Sequence, residues 1–115
     1  MHRVVASTAH RVPERPPLRL DVGDVVEAGA RDTEWPAFVF VTTPTGSGWV
    51  PARYLSAPRG PAAMVEAYDT TELATRAGEV LDVLACDLEG GWLWCRSSRG
   101  DEGWVPVRTL GELRP

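Results

Sequence analysis

The chain has 115 residues, 43% of them apolar and 24% charged, the composition of folded globular material. Twelve arginines and no lysine face sixteen acids, a net charge of −4 that argues against nucleic-acid partners, whose phosphates need many cationic contacts. No apolar run approaches the roughly 18 residues of a bilayer span, and Met1-His2-Arg3-Val4-Val5-Ala6-Ser7-Thr8 lacks a secretory stretch; with residue 1 as the true start, a cytoplasmic chain with no membrane partner is expected.

Eleven glycines and ten prolines point to many turns and few long helices. In chain order, Val4-Val5-Ala6 has β character, and Arg11-Val12-Pro13-Glu14-Arg15-Pro16-Pro17-Leu18-Arg19 is proline-rich and basic. A Gly23-Asp24 turn leads into Val25-Val26-Glu27-Ala28, a strand rich in branched residues. Phe38-Val39-Phe40-Val41 suits a strand covered on both faces. Thr43-Pro44-Thr45-Gly46 reads as a hairpin turn whose glycine takes a positive φ, and Trp49-Val50 as a brief strand ended by Pro51. Ser56-Ala57-Pro58-Arg59-Gly60-Pro61 has the composition of a linker. Ala62-Ala63-Met64-Val65-Glu66-Ala67 contains good helix formers, but its place opposite Val4-Val5-Ala6 favours a strand. The second half continues with Val80-Leu81-Asp82-Val83-Leu84 after Gly78-Glu79, Trp92-Leu93-Trp94-Cys95, a turn at Ser98-Arg99-Gly100-Asp101, and Trp104-Val105.

This order reflects an internal repeat. Gly48-Trp49-Val50-Pro51-Ala52-Arg53-Tyr54-Leu55 returns as Gly103-Trp104-Val105-Pro106-Val107-Arg108-Thr109-Leu110, and Gly23-Asp24-Val25-Val26 as Gly78-Glu79-Val80-Leu81 in the same register. Two domains follow, residues 1–57 and 58–115, the second carrying the excess of acids. A unit this small must curl upon itself to enclose a core. The fold class is all-β, two small five-stranded barrels in tandem. Val26, Val41 and Val50, with Leu81, Val83, Cys95 and Val105, are the inward positions.

Both repeats resemble Src-homology-3 (SH3) domains, and the pair resembles a bacterial variant type. The residues that carry the resemblance are Glu72-Leu73 before Ala77-Gly78-Glu79, Gly91-Trp92-Leu93-Trp94-Cys95, and Gly103-Trp104-Val105-Pro106 with its first-half copy. The resemblance implies a module that cradles a proline-rich or Arg-containing peptide between aromatic walls, with an acid of the RT loop taking the ligand's cation. For the second groove it implies Tyr68, Glu72, Trp92, Trp104 and Pro106. For the first it implies Trp49, Pro51 and Tyr54, with Trp35 or Phe38 in the tryptophan place. Against the family's Ala-Leu-Tyr-Asp-Tyr stretch stand Ala6-Ser7-Thr8-Ala9-His10 and Met64-Val65-Glu66-Ala67-Tyr68, and Thr109 replaces the last tyrosine, so neither repeat has a complete groove.

Trp94 is assigned to packing on the outer sheet face. Glu66, Asp69, Glu72, Asp87 and Glu89 flank the second groove and read first as solvated loop surface, with an acidic rim that selects an Arg- or Lys-bearing ligand as the alternative. Cys86 and Cys95 are too few for a zinc site or a disulfide framework and read as buried free thiols on opposite sheet faces. No nucleophile motif or phosphate loop appears, so neither an enzyme nor a cofactor is expected. The partner is a protein or peptide. The alternative is a structural unit whose grooves are used in inter-domain or homo-oligomer packing, including a weak homodimer in which the Arg11–Arg19 loop enters another chain's groove.

Overall fold

The computed structural model describes residues 2–112. Eleven short strands and two single 3-10 turns make it all-β, in antiparallel sheets. The strands are β1 (His2–Ala6), β2 (Arg19–Leu20), β3 (Val25–Arg31), β4 (Phe38–Thr43), β5 (Gly46–Pro51), β6 (Gly60–Ala63), β7 (Tyr68–Asp69), β8 (Val80–Asp87), β9 (Trp92–Arg96), β10 (Glu102–Pro106) and β11 (Leu110–Glu112). The 3-10 turns, Ala52–Tyr54 and Val107–Thr109, each follow a proline in extended geometry. Val50 and Val105 before those prolines are extended, as the pre-proline restriction requires.

The compact units do not follow the sequence repeats. One contains the chain up to Arg15 together with Thr71 onward (unit 1), and the other is the continuous segment Pro16–Thr70 (unit 2). The division drawn at 57/58 is thus replaced by crossings at 15/16 and 70/71. Ser56–Pro61 is not a linker between units but a tight turn inside unit 2. There the Ser56 amide donates to the Ala63 carbonyl at 2.9 Å, and the Ala63 amide to Ser56 Oγ at 2.9 Å.

Unit 1 carries a five-stranded sheet in the order β10-β9-β8-β1-β11. The N-terminal strand is interior to it, with Val4 opposite Leu81 on one side and Glu112 on the other. Its apolar positions alternate inward: Val4 joins Leu73, Leu81, Leu93, Cys95 and Val105 in one core, and Ala6 is buried as well. At its end the Gly78 amide donates to the Ala6 carbonyl at 2.7 Å, the Ala6 amide to the Glu79 carbonyl at 2.8 Å, and the Ser7 amide to the Thr109 carbonyl at 2.8 Å.

Unit 2 repeats this closure with β6 in the place of β1. Its four-stranded sheet has the order β5-β4-β3-β6, and β2 pairs separately with β7. The Gly23 amide donates to the Met64 carbonyl, the Met64 amide to the Asp24 carbonyl, and the Val65 amide to the Tyr54 carbonyl, each at 2.8 Å. Met64 therefore stands where Ala6 stands in unit 1. It is fully buried with Val26, Val39, Val41 and Val50, and its truncation to alanine should cost roughly 2–5 kcal/mol. The helix propensity of Ala62–Ala67 is overridden because Ala62 and Ala63 extend a sheet whose core Met64 fills.

Gly23 and Gly78 hold φ of +91° and +89° at matching turns, a region that penalises a Cβ. Gly46 has no such φ; it opens β5, and its amide donates to Thr43 Oγ1 at 3.1 Å, so the side chain of Thr43 shapes this hairpin. Of the expected inward residues, Val26, Val41, Val50, Leu81, Cys95 and Val105 are buried, and Val83 packs half-buried against the core.

The division of units makes a direct prediction. Residues 16–70 expressed alone should give a dispersed amide NMR spectrum. Residues 1–57, which lack β6 and β7, should give the narrow spectrum of an unfolded chain. Folding of 1–57 by itself would contradict this closure.

Candidate functional site

Each unit presents an aromatic face on the side of its hairpin away from the core. In unit 1, β9 and β10 pair with Trp92 opposite Pro106 and Trp94 opposite Trp104. These four share one face by strand alternation, and Leu93, Cys95 and Val105 occupy the other. Trp94 and Trp104 meet edge-to-face at 5.3 Å with planes at 80°, a favourable aromatic geometry. The Trp94 indole N–H donates to Glu102 Oε1 at 2.9 Å. Trp94 thus packs on the sheet face away from the core, as expected, and shares that face with Trp92 and Trp104. Its two-residue spacing from Trp92 was the signal for this.

The segment carrying Glu72 is locked against β10. The Trp104 amide donates to the Thr71 carbonyl at 2.9 Å and the Leu73 amide to the Trp104 carbonyl at 3.0 Å. Such close approach requires glycine at 103, because a Cβ there would lie 2.7 Å from the Glu72 carbonyl carbon and the Leu73 nitrogen.

His10 enters the same site, paired by its backbone with Thr75 through reciprocal bonds of 3.1 Å. Its ring meets Trp92 edge-on at 5.6 Å, and its Nε2 lies 2.8 Å from Glu72 Oε1. Thr109 is buried, its hydroxyl donating to the Pro106 carbonyl at 2.8 Å.

Unit 2 has the matching face, with Phe38 opposite Pro51 and Phe40 opposite Trp49. The pairing makes Phe38, not Trp35, the counterpart of Trp92. Phe38 is buried in the sheet, and Trp35 lies half-buried in the preceding loop, its carbonyl accepting from the Phe38 amide at 2.9 Å. Phe40 and Trp49 meet edge-to-face at 5.1 Å. Tyr68, opposite Leu20 on β7, meets Tyr54 edge-to-face at 5.6 Å. The Arg53 guanidinium lies 4.8 Å from the centre of the Tyr54 ring, a cation–π contact.

The structure therefore regroups the expected residues. Tyr68 sits with Tyr54, Trp49 and Pro51 in unit 2, whereas Glu72, Trp92, Trp104 and Pro106 gather in unit 1 around His10. Pro51 and Pro106 are fully buried and shape their turns without presenting surface. The acids are also dispersed. Glu66 and Asp69 fall in unit 2, with Asp69 Oδ2 at 3.2 Å from Arg19 Nε. Asp87 is buried, its Oδ1 accepting the Gly90 amide at 2.9 Å, and Glu89 is exposed. Among the described residues, no group of three His, Cys, Asp or Glu is placed to hold a metal ion. No helix among the described residues is long and apolar enough to cross a membrane.

Behind the tryptophan face, Cys95 is buried opposite Val83, its thiol pushed up to about 11, chiefly by burial and further by Cys86. Both cysteines are free, but Cys86 is exposed where burial was expected; β8 shifts register between Val83 and Ala85 and pairs it with Leu93. The thiolate is the reacting species. Iodoacetamide at pH 8 should therefore label Cys86 by mass spectrometry and spare Cys95 until the protein is unfolded. At the close approach of β10, G103A should lower stability by about 1–3 kcal/mol in urea titration.

Residues 64–110 match the family model of the variant SH3 domain. None of the curated proteins compared with the chain matches it. The matched stretch starts at Met64, so its residues up to Thr70 lie in unit 2 and the remainder, from Thr71, in unit 1. Over residues 64–110 the chain is thus similar to the variant SH3 domain, a family whose members are generally non-catalytic protein-interaction modules.

Proposed function

We propose that the chain is a tandem SH3-type interaction protein whose two aromatic faces bind a peptide segment of a partner protein, proline-rich or arginine-containing. The observation that carries this reading is the Tyr54–Tyr68 pair. Read along the sequence, each repeat has lost groove tyrosines. In unit 2 the tyrosine of the second repeat joins that of the first at 5.6 Å, both half-buried. The two rings stand at 76° and offer flat aromatic surface, the kind that receives a ridge of a polyproline helix at little entropic cost. Unit 1 offers a different surface, with indoles in place of tyrosines and a carboxylate beside them. The two sites would read different parts of a ligand, and one ligand reaching both would gain avidity. A cytoplasmic location is part of the proposal.

The test is titration of a library of proline-rich peptides followed through the Tyr54 and Tyr68 ring signals. Tyrosines at the centre of a binding site typically contribute 2 kcal/mol or more, so Tyr68→Ala should weaken a bound peptide by roughly thirtyfold. The amide spectrum of the variant checks its fold, and Tyr68→Phe, which keeps the ring, should retain most of the affinity. Peptides that bind without disturbing either ring would contradict the proposal.

A further inference from the structure

We infer that His10 sets the ligand class of the unit 1 site, admitting a peptide guanidinium to Glu72 when the imidazole is neutral and closing that position when it is charged. The inference rests on the peptide-binding reading above and adds to it a residue that this chain places in the groove.

The geometry is specific to unit 1. His10 and Tyr68 occupy matching positions, since His10 pairs with Thr75 as Tyr68 pairs with Leu20. Where unit 2 has a phenol, unit 1 has a ring with His10 Nε2 at 2.8 Å from Glu72 Oε1. The two side chains are 13% and 24% exposed, so their mutual field is poorly screened by solvent. The imidazole also touches Trp92 edge-on, which places the pair at the margin of the tryptophan face.

A carboxylate beside aromatic faces attracts a cation twice, by a charge-assisted hydrogen bond and by the ring quadrupole. A neutral imidazole donating from Nε2 leaves the negative charge of Glu72 to the ligand. A protonated one cancels that charge within the protein and sets a second cation beside the incoming guanidinium. Histidine is the side chain whose charge changes between about pH 5 and 8, so acidification should favour the closed arrangement.

The other charged groups on the surrounding elements have different engagements. Glu79, on the same arm as Glu72, accepts the Arg76 amide at 3.1 Å and lies 3.5 Å from Arg99. Asp87, facing Trp92 across the sheet, is buried and accepts the Gly90 amide. Arg96, further along β9, lies 3.9 Å from Asp82. Arg11, next to His10, is exposed. Glu72 is the carboxylate bonded to the imidazole.

Two capped synthetic peptides test this, one of sequence Arg-Ala-Ala-Pro-Pro-Ala-Pro and one with citrulline replacing arginine, titrated into the intact chain at pH 8 and pH 5. A unit charge a few ångströms away in a partly buried site is worth about tenfold in affinity. The arginine peptide should therefore bind about tenfold more weakly at pH 5 than at pH 8, the citrulline peptide should be indifferent, and His10→Gln should abolish the step. Without any peptide, the Trp92 indole signal should titrate in the parent and stay fixed in His10→Gln. Equal binding of both peptides at both pH values overturns the role of His10 and leaves the peptide site standing. Binding of neither peptide at pH 8 overturns both. A pH step that persists in His10→Gln assigns the effect elsewhere and overturns the inference.

Discussion

Closure of each sheet by a strand from the other repeat is the constraint from which the sites follow. In unit 1 that strand is interior, flanked by β8 and β11, and buries Val4 and Ala6. An interior strand cannot be left out, since its absence would open two ladders of backbone hydrogen bonds and uncover a core that is small already. Unit 2 meets the same requirement with β6, a strand whose neighbours in sequence belong to the second repeat. The residues beyond each closing strand are carried along with it. His10 follows β1 into unit 1, and Tyr68 follows β6 into unit 2.

Local chemistry then diverges although the backbone frame is repeated. Unit 2 gathers Tyr54 and Tyr68 with Arg53 over one ring. Unit 1 gathers three tryptophans, an imidazole and a carboxylate, with Thr109 bonded inward where the matching tyrosine faces its partner. Behind both faces apolar core positions recur in register, filled by different residues, such as Met64 for Ala6 and Val26 for Leu81. Val50 and Val105 are completely buried, and each is followed by a buried proline. The frame is held by packing, and the polar and aromatic variation is concentrated at positions on the other face. Proteins that bind commonly separate the two in this way.

Much of this arrangement is legible along the chain. The repeated Gly-Trp-Val-Pro block, the turns at Gly23 and Gly78 and the alternation of apolar residues place most of the strands and the core. The partner of β1 is not legible in the same way. Val4-Val5-Ala6 and Ala62-Ala63-Met64 are both short and apolar, and either can edge either sheet, so strand periodicity is silent about which copy receives which. Proximity in sequence favours the nearer partner, and that preference assigned Tyr68 to Trp92 and left His10 as a substituted position. The insertion before Phe38 hid its equivalence to Trp92 until the pairing with Pro51 was known. Trp94 is legible from sequence as an outward-packing residue, and its parity with Trp92 puts the two on one face. Proline burial, by contrast, depends on tertiary packing that no local pattern records.

The central claim is that both repeats build each aromatic site, and ring-to-ring nuclear Overhauser effects in the intact chain test it most directly. The account predicts cross-peaks between the rings of Tyr54 and Tyr68 and between those of His10 and Trp92. Cross-peaks between Tyr68 and Trp92, or between His10 and Tyr54, would mean that each repeat closes on itself and would contradict it.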